Sequence, residues 1–187
     1  MAKLIETINL SSWPEPDFSP QSLFADIVEN ILGQQLSNRA ADTIITRFKN
    51  LFGGRHPTPA RLLKTPDEKI RACGTSWAKA RYVKNVAAAA VDKTLDLENL
   101  PAAADEKIYT QLLKIKGIGR WTAEMFLMFT LRRPDIFSPG DAGLQNAVAK
   151  LYGVKRGDVK QMVRISGRWR PYRTLACRYL WKSLDAK

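Results

Sequence analysis

The chain has few of the side chains that build metal centres and disulfide frameworks. Among its 187 residues are two cysteines, Cys73 and Cys177, and one histidine, His56. The cysteines lie far apart, each within a helical pattern, which disfavours a disulfide framework or a metal cluster. A lone histidine with no second ligand nearby also disfavours a histidine zinc site or a serine–histidine pair. Any chemistry is therefore expected to use other side chains.

Long apolar segments are also missing. No apolar run reaches the roughly 18 residues that a membrane-spanning helix needs, and no basic amphipathic helix of the membrane-surface type is evident. The N-terminal MAKLIETINLSSW has no apolar core followed by small residues, so it does not match a secretory signal. We therefore predict a cytoplasmic protein without a membrane partner, associated with the nucleoid if its source is a bacterium.

Acidic residues are scarce relative to basic ones. Lys and Arg number 30 against 18 Asp and Glu, which gives a formal net charge of +12 and a pI near 9.9. This charge favours a polyanionic partner, and nucleic acid fits better than an acidic membrane surface. Solubility alone is the alternative explanation, but a small domain needs less net charge for that.

The apolar pattern indicates helices throughout. No stretch shows the period-two alternation of a β-strand, so we predict an all-α chain. Its length suits a single domain, residues 1–187, which we expect to form two lobes around a cleft. Ser19-Pro20 opens a first helix that Gly33 ends, and Ser37 caps a second. Both helices are expected to turn an apolar stripe toward the core.

Further along the chain, other signals mark helix boundaries. Thr65 and Glu68 have the spacing of a capping box, and Ser76 is placed to cap a longer helix. Residues 92–101 are expected to be a connecting loop. The helical pattern resumes after Asp105, and the last third predicts a helix around 142–151 followed by two more helical segments. No internal repeat is present.

The segment LLKIKGIGRWTAEMF predicts a helix, a tight hairpin and a second helix. Gly117 and Gly119 stand where the backbone must turn sharply and approach another group closely. Main-chain N–H groups here, together with the helix dipole, favour a phosphate. A GxG turn is also common in purely structural helix hairpins, but Lys114, Lys116 and Arg120 strengthen the DNA-binding interpretation.

About twenty residues past the hairpin, the segment SPGDAGLQNAV places Asp141 between a loop and a helix. An aspartate after Pro and Gly at a helix start is ordinary N-cap chemistry. Taken alone, Asp141 is therefore well explained as a helix cap, and a catalytic role needs the support of other motifs.

Three ordered motifs together resemble a known family. ILGQQLSNRAADTI, LLKIKGIGRWTAEMF and PGDAGLQNAV are similar to segments of the helix-hairpin-helix DNA glycosylase superfamily, and the resemblance spans roughly residues 20 to 184. GIGRWTA and WRPYRTLACRYLW are most similar to the bacterial 3-methyladenine DNA glycosylase II branch. The resemblance implies a two-lobed helical fold with the helix-hairpin-helix at about 106–131 and an active-site cleft between the lobes.

The resemblance assigns Asp141 as the catalytic carboxylate. Cleavage of an N-glycosidic bond gives the sugar oxocarbenium character, which a fixed carboxylate stabilises while it orients the attacking water. An N3- or N7-alkylated purine is already cationic and departs readily, so little general-acid help is needed. The implied activity is excision of 3-methyladenine and 7-methylguanine type bases from double-stranded DNA by a monomer that needs no cofactor.

Aromatic side chains are expected to hold the extrahelical base. By the resemblance, Trp121, Trp181 and Met125 line the pocket in which an electron-poor base stacks. From the residues alone both tryptophans fit core positions, because each continues an apolar helical stripe. Bifunctional family members have a lysine at the position of Trp121, where its amine forms a Schiff base. A tryptophan there implies a monofunctional enzyme that leaves an abasic site, and two distant cysteines exclude the iron–sulfur cluster of other members.

The resemblance also implies where DNA is held. Gln34 to Leu36 match the loop that fills the gap left by the flipped base, with Gln35 best placed as the wedge; equally, these amides can satisfy main-chain groups between two helices. A monovalent cation could rest on the carbonyls of Leu113, Ile115 and Ile118. The expected DNA contacts are Lys114, Lys116, Gly117, Ile118, Gly119, Arg120, Thr122, Gln35 and Leu36.

Some positions depart from the family pattern. Lys116 replaces a proline, which adds a cation but loosens the turn. Met125 and Ala142 stand where close bacterial relatives place pocket aromatics, so the acceptance of hypoxanthine or ethenoadenine is left open. The extra N-terminal domain of those relatives is not expected here.

Three other functions stay open at this point. A non-catalytic DNA-binding module would use the same hairpin and charge without chemistry. A glycosylase for uracil or mismatched thymine would need a more polar pocket, against which Trp121 and Met125 argue modestly. An RNA-associated basic protein would explain the charge but not the ordered motifs.

Overall fold

The computed structural model describes residues 1–185, and their regular structure is entirely helical. No β-strand occurs among these residues, so the all-α prediction is confirmed. The α-helices in this range are α1 (Ala2–Thr7), α2 (Pro20–Gly33), α3 (Asn38–Leu51), α4 (Pro59–Lys64), α5 (Asp67–Ala72), α6 (Trp77–Val91), α7 (Asp105–Leu113), α8 (Arg120–Met125), α9 (Ala142–Tyr152), α10 (Val159–Ser166) and α11 (Arg173–Asp185). None of them has the length and apolar character needed to cross a membrane.

Serine side chains start three of the helices as predicted. Ser19, Ser37 and Ser76 each accept a hydrogen bond from the main-chain N–H three residues later, at 3.3, 3.4 and 3.2 Å. These bonds satisfy N–H groups that have no partner within the helix. The capping box at Thr65 is wrong: α5 follows Pro66 without a side-chain cap, and the Thr65 hydroxyl donates to the Arg61 carbonyl of α4 instead.

The chain divides into two compact units. The central unit is the continuous stretch Asp17–Phe126, and the terminal unit combines Met1–Pro16 with the chain from Leu127 onward. The interpretation as one domain, based on length, stays a prediction, and each unit is described separately.

Helix α2 is the centre of the central unit. It contacts α3 and α6, and α6 also packs on α4. Burying a side chain as large as leucine or isoleucine stabilises a fold by about 1.5–3 kcal/mol, so this helix contributes strongly. Its buried residues are Leu23, Phe24, Ala25, Ile27, Val28, Ile31 and Leu32. By contrast, α3 buries only Phe48 completely, so its stripe faces the core less than predicted.

The single histidine and the two cysteines occupy structural positions. His56 lies with its Nε2 atom 2.7 Å from the Glu29 carboxylate, and this hydrogen bond lowers the pKa of Glu29. Cys73 and Cys177 are both buried, and neither forms a disulfide. The described residues contain no group of three or more His, Cys, Asp or Glu side chains able to hold a metal ion.

The terminal unit is built around α11, which packs on α9, with α1 against it. Leu144, Ala147 and Val148 of α9 and Cys177 and Leu180 of α11 are almost fully buried. A wider-turned π-helical segment, Phe126–Thr130, directly follows α8 and was not predicted. Such turns are frequent at functional sites because they redirect the side chains that follow.

Candidate functional site

Asp141 is the N-cap of α9 and also contacts a tryptophan. Its Oδ1 atom accepts a hydrogen bond from the main-chain N–H of Leu144 at 2.8 Å. The same oxygen accepts the indole N–H of Trp181 at 2.8 Å, from helix α11. Capping and site formation are therefore both properties of this carboxylate, and two donors fix its orientation.

The loop that leads to Asp141 is fastened to the start of α11. The guanidinium of Arg173 donates to both carboxylate oxygens of Asp135, at 2.6 and 3.0 Å, and the Thr174 hydroxyl donates to the Arg133 carbonyl at 2.6 Å. Arg173 lowers the pKa of Asp135, although partial burial acts against it. Since α11 also carries Trp181, this helix holds both the loop and the carboxylate at its end.

Gly143 leaves the space in which the carboxylate and the indole meet. A Cβ atom at this position would lie 3.0 Å from Trp181 Cδ1 and 3.1 Å from both Trp181 Nε1 and Asp141 Oδ1. These distances are shorter than ordinary van der Waals contacts. The glycine in the PGDAG motif therefore serves the local geometry of the site.

An aromatic series extends away from Trp181. The ring of Phe129, in the π-helical segment, lies 5.6 Å from the Trp181 ring at an interplanar angle of 34°. Trp13 meets Phe129 edge-on at 6.0 Å. The guanidinium groups of Arg132 and Arg178 lie 4.2 and 4.0 Å from the Trp13 ring centroid.

The hairpin between α7 and α8 belongs to the central unit. Gly117 has φ +111°, and a Cβ atom there would collide with the ring of Tyr82 from α6. Gly119 is the N-cap of α8 with φ −94°, and nothing lies within 4 Å of the corresponding Cβ position. Gly117 is thus required by packing behind the hairpin, whereas Gly119 leaves open space.

Side chains from α6 and the end of α2 fix the hairpin main chain. The amide of Asn85 donates to the Lys116 carbonyl at 2.9 Å. The amide of Gln34 donates to the Gly117 carbonyl at 3.1 Å and to the Thr122 hydroxyl at 2.9 Å. Lys79 in turn donates to the Gln34 carbonyl at 2.6 Å, and partial burial lowers the pKa of this lysine. A continuous set of hydrogen bonds therefore joins the α2–α3 loop to the hairpin.

The basic residues of the hairpin differ in their surroundings. Lys114 and Lys116 are exposed. Arg120 is also exposed, but its guanidinium lies 2.9 Å from the buried carboxylate of Glu124 and over the ring of Tyr109. Burial and the Glu124 charge raise the pKa of Tyr109. Arg120 is thus partly neutralised within the central unit, which the sequence pattern did not indicate.

The loop between α2 and α3 presents two side chains to solvent. Gln35 is exposed with φ +59°, a conformation uncommon for a residue with a Cβ atom, and Leu36 is 38% exposed. Gln34 points back to the hairpin. Gln34 thus satisfies main-chain and hydroxyl groups of the hairpin, whereas Gln35 is exposed and its role as a wedge stays a prediction.

The remaining predicted residues have contrasting burial. Trp121 on α8 is 38% exposed, whereas Met125, Ile118 and Thr122 are buried in the central unit. Of the predicted carboxylate and pocket residues, Asp141 and Trp181 are in direct contact; Trp121 and Met125 belong to the other unit. Sequence reasoning missed the structural partners Trp13, Lys79, Tyr82, Asn85 and Phe129, which no motif marks.

The family model and the similar proteins agree on one superfamily. The model of the HhH-GPD superfamily of base excision DNA repair proteins matches residues 28–171. DNA-3-methyladenine glycosylase 1 of Schizosaccharomyces pombe is 32% identical over 173 residues, covering 91% of this chain and 76% of that protein. The putative DNA-3-methyladenine glycosylase YfjP of Bacillus subtilis is 34% identical over 171 residues, and this chain spans 60% of its length.

Solved structures agree. The DNA-3-methyladenine glycosidase of Bacillus halodurans is 38% identical, with a TM-score of 0.81 over 99% of this chain and 84% of that one. The S. pombe 3-methyladenine DNA glycosylase Mag1, in complex with abasic DNA, gives a TM-score of 0.86 at 30% identity over 98% of this chain and 90% of that one. With a match across most of the chain, in sequence and in fold, the protein belongs to the HhH-GPD superfamily of base excision DNA repair proteins.

Proposed function

We propose that this protein is a monofunctional DNA glycosylase that hydrolyses the N-glycosidic bond of alkylated purines in double-stranded DNA. Its substrates are of the 3-methyladenine and 7-methylguanine type, and its product is an abasic site. The observation that carries the proposal is the Asp141 carboxylate, held by the Trp181 indole at the start of α9. Relatives named as 3-methyladenine glycosylases support the choice of substrate.

Asp141 is the catalytic carboxylate of this mechanism. As the bond to the cationic base breaks, positive charge develops on the sugar ring, and the nearby anion stabilises it. A water molecule attacks the sugar carbon from which the base departs. Asp141 orients this water and takes up its proton. Because two donors hold Oδ1, the carboxylate needs little reorganisation during the reaction.

Trp181 of the terminal unit is the stacking surface proposed for the extrahelical base, and Trp121 and Met125 of the central unit stay predicted base-contacting residues from the family resemblance. An alkylated purine is electron-poor and cationic, so it gains more from stacking on an indole than an undamaged base does. No amine takes part in the reaction, since the position of the bifunctional members' lysine is Trp121. The enzyme therefore releases the base and leaves the strand uncut.

DNA is held by the hairpin and the α2–α3 loop. Lys114 and Lys116 contact phosphates together with the main chain from Gly117 to Gly119, and Arg120 adds a weaker contact because Glu124 competes for it. Ile118 and Thr122 act from behind, through packing and the hydrogen bond to Gln34. Gln35 is the wedge, with Leu36 beside it.

The hairpin carbonyls of Leu113, Ile115 and Ile118 would hold a monovalent cation, if one binds. The Ile115 oxygen already accepts the Ile118 N–H at 3.0 Å, which leaves one lone pair for an ion. Such an ion would support the turn structurally. The enzyme works as a monomer. It acts in the cytoplasm, where in a bacterium it associates with the nucleoid.

The test is base release from alkylated duplex DNA by the wild type and the Asp141→Asn variant. Asparagine keeps an oxygen for the Leu144 and Trp181 donors and removes the charge, so we expect unchanged folding and DNA binding. We expect release of 3-methyladenine or 7-methylguanine to fall by about 100-fold or more, the size of effect known for lost electrostatic stabilisation. Binding without release by either protein would indicate a DNA-binding module or a glycosylase for another lesion.

A further inference from the structure

We propose that Trp13 is a positioning residue, which acts through Phe129 to fix the Trp181 indole against Asp141. The inference rests on the proposed function, because its effect is read in base release. Trp13 lies before the part of the chain that matches the family model, residues 28–171.

The first support is an unbroken series of contacts within the terminal unit. Trp13 meets the Phe129 ring edge-on, with centroids 6.0 Å apart and an interplanar angle of 73°. Phe129 lies against Trp181 at 5.6 Å, and the Trp181 indole donates to Asp141 at 2.8 Å. Both ring pairs fall in the favourable range of aromatic geometries.

The second support is that Trp13 is fixed by more interactions than a surface tryptophan needs. Arg132 and Arg178 both place their guanidinium groups within 4.2 Å of its ring centroid. Arg178 also donates to the Ser11 carbonyl at 2.6 Å, which fastens the adjoining main chain. Two cations beside one ring repel each other, and the Arg132 charge and burial both lower the pKa of Arg178. Attraction to the indole offsets this repulsion.

The third support is the setting of Phe129. It lies in the π-helical segment and is 39% exposed, while its neighbours Leu127 and Met128 are buried. A partly exposed ring has few contacts to select its orientation. Trp13 lies in the non-helical segment between α1 and α2, and it supplies an edge contact to the Phe129 ring. Loss of that contact frees Phe129 to turn, and the Trp181 indole then loses its neighbour.

The experiment is single-turnover release of 7-methylguanine from a duplex, by wild type, Trp13→Ala, Trp181→Ala and the double variant. We expect Trp13→Ala to slow release about 10-fold, since small displacements of reacting groups have effects of this size. Affinity for undamaged duplex should stay unchanged. Because Trp13 acts through Trp181, the double variant should be no slower than Trp181→Ala alone.

Three further variants test the assignment. Trp13→Phe keeps an aromatic edge and should recover most of the rate. Phe129→Leu keeps apolar volume, removes the ring between the two tryptophans and should slow release as Trp13→Ala does, even if Trp13→Ala folds poorly. Trp77→Ala is the matched control, because Trp77 also lies under an arginine, Arg71, and is 43% exposed, but belongs to the central unit. Its rate should equal that of the wild type.

The outcomes separate this inference from the proposed function. Wild-type release with an unchanged rate in Trp13→Ala and Phe129→Leu overturns the positioning role and leaves the glycosylase intact. Fully additive effects in the double variant also overturn it, since they indicate that Trp13 acts without Trp181. Absence of release by the wild type overturns the proposed function itself.

Discussion

At the scale of single residues, one oxygen atom of Asp141 combines helix capping with the contact to Trp181. It caps α9 and accepts the N–H of the Trp181 indole, so the start of the helix positions the carboxylate and the indole orients it. The glycine at position 143 keeps the contact between the Trp181 indole and the Asp141 carboxylate uncrowded, because a Cβ atom there would press on both groups. Folding and the proposed catalytic role of Asp141 therefore depend on the same local geometry.

The change Gly143→Ala separates these two demands. Alanine should raise or maintain stability, because glycine within a helix costs up to about 1 kcal/mol relative to alanine. The added methyl group would press on Trp181 and Asp141, so we expect base release to slow about 10-fold through misplacement of the reacting groups. Thermal unfolding and single-turnover rates check both effects.

A suitable control is Gly140→Ala, where no atom lies within 4 Å of the added Cβ position. Its rate should match that of the wild type. If Gly143→Ala is as active as the wild type, the carboxylate and indole tolerate displacement and the close fit has no catalytic consequence.

At the scale of elements, the hairpin is shaped by helices distant in sequence. Tyr82 and Asn85 of α6 and Gln34 at the end of α2 contact its main chain, and Lys79 fastens the Gln34 carbonyl. The α2–α3 loop and the hairpin between α7 and α8 therefore share one support. A displacement of the α2–α3 loop should therefore displace the hairpin, and the reverse.

Gln34→Leu tests this connection. Leucine keeps much of the volume but loses the hydrogen bonds to Gly117 and Thr122, leaving a partly buried carbonyl without that donor. We expect affinity for duplex DNA containing an abasic-site analogue to fall about 10-fold, equivalent to the 1–2 kcal/mol typical of such a loss. Fluorescence anisotropy at fixed salt measures it.

Gln21→Leu is the matched control, because Gln21 also lies on α2 and donates its amide to a main-chain carbonyl, that of Pro57, at 3.1 Å. The free energy of unfolding of Gln21→Leu should fall by about as much as that of Gln34→Leu, while its affinity for DNA stays at the wild-type value. Equal loss of affinity in both variants would contradict a specific link between loop and hairpin.

How far the sequence predicts each element depends on where its determinants lie. Ser19, Ser37 and Ser76 were predicted as helix starts because a cap is a local interaction between residues three apart. The π-helical segment was missed because no local residue pattern marks it. Asp141 was found through a motif, whereas Trp13 and Asn85 act on partners far away in the sequence, which a single sequence does not pair.

At the scale of the whole molecule, the net charge is +12, and the number of phosphates that its basic residues neutralise sets how DNA binding depends on salt. Each phosphate that a protein neutralises contributes about 0.9 to the slope of log affinity against log salt. The double variant Lys114→Ala/Lys116→Ala should therefore reduce the slope by about 2, whereas Arg120→Ala should change it less because Glu124 is its neighbour.

Titrations of binding against salt concentration give these slopes. Lys64→Ala, which removes an exposed lysine at the end of α4, serves as the control and should leave the slope unchanged. Equal changes for all lysines would indicate a diffuse charge effect without a defined phosphate site.

The division of the chain also sets an order of events during biosynthesis. The central unit is continuous, so all of its residues have been synthesised once Phe126 is added. Trp13 is synthesised before the central unit, whereas Phe129, Arg132, Arg178 and Trp181 are synthesised only after all of it. The nascent protein therefore contains every residue of its hairpin before the Trp181 indole that donates to Asp141 has been synthesised.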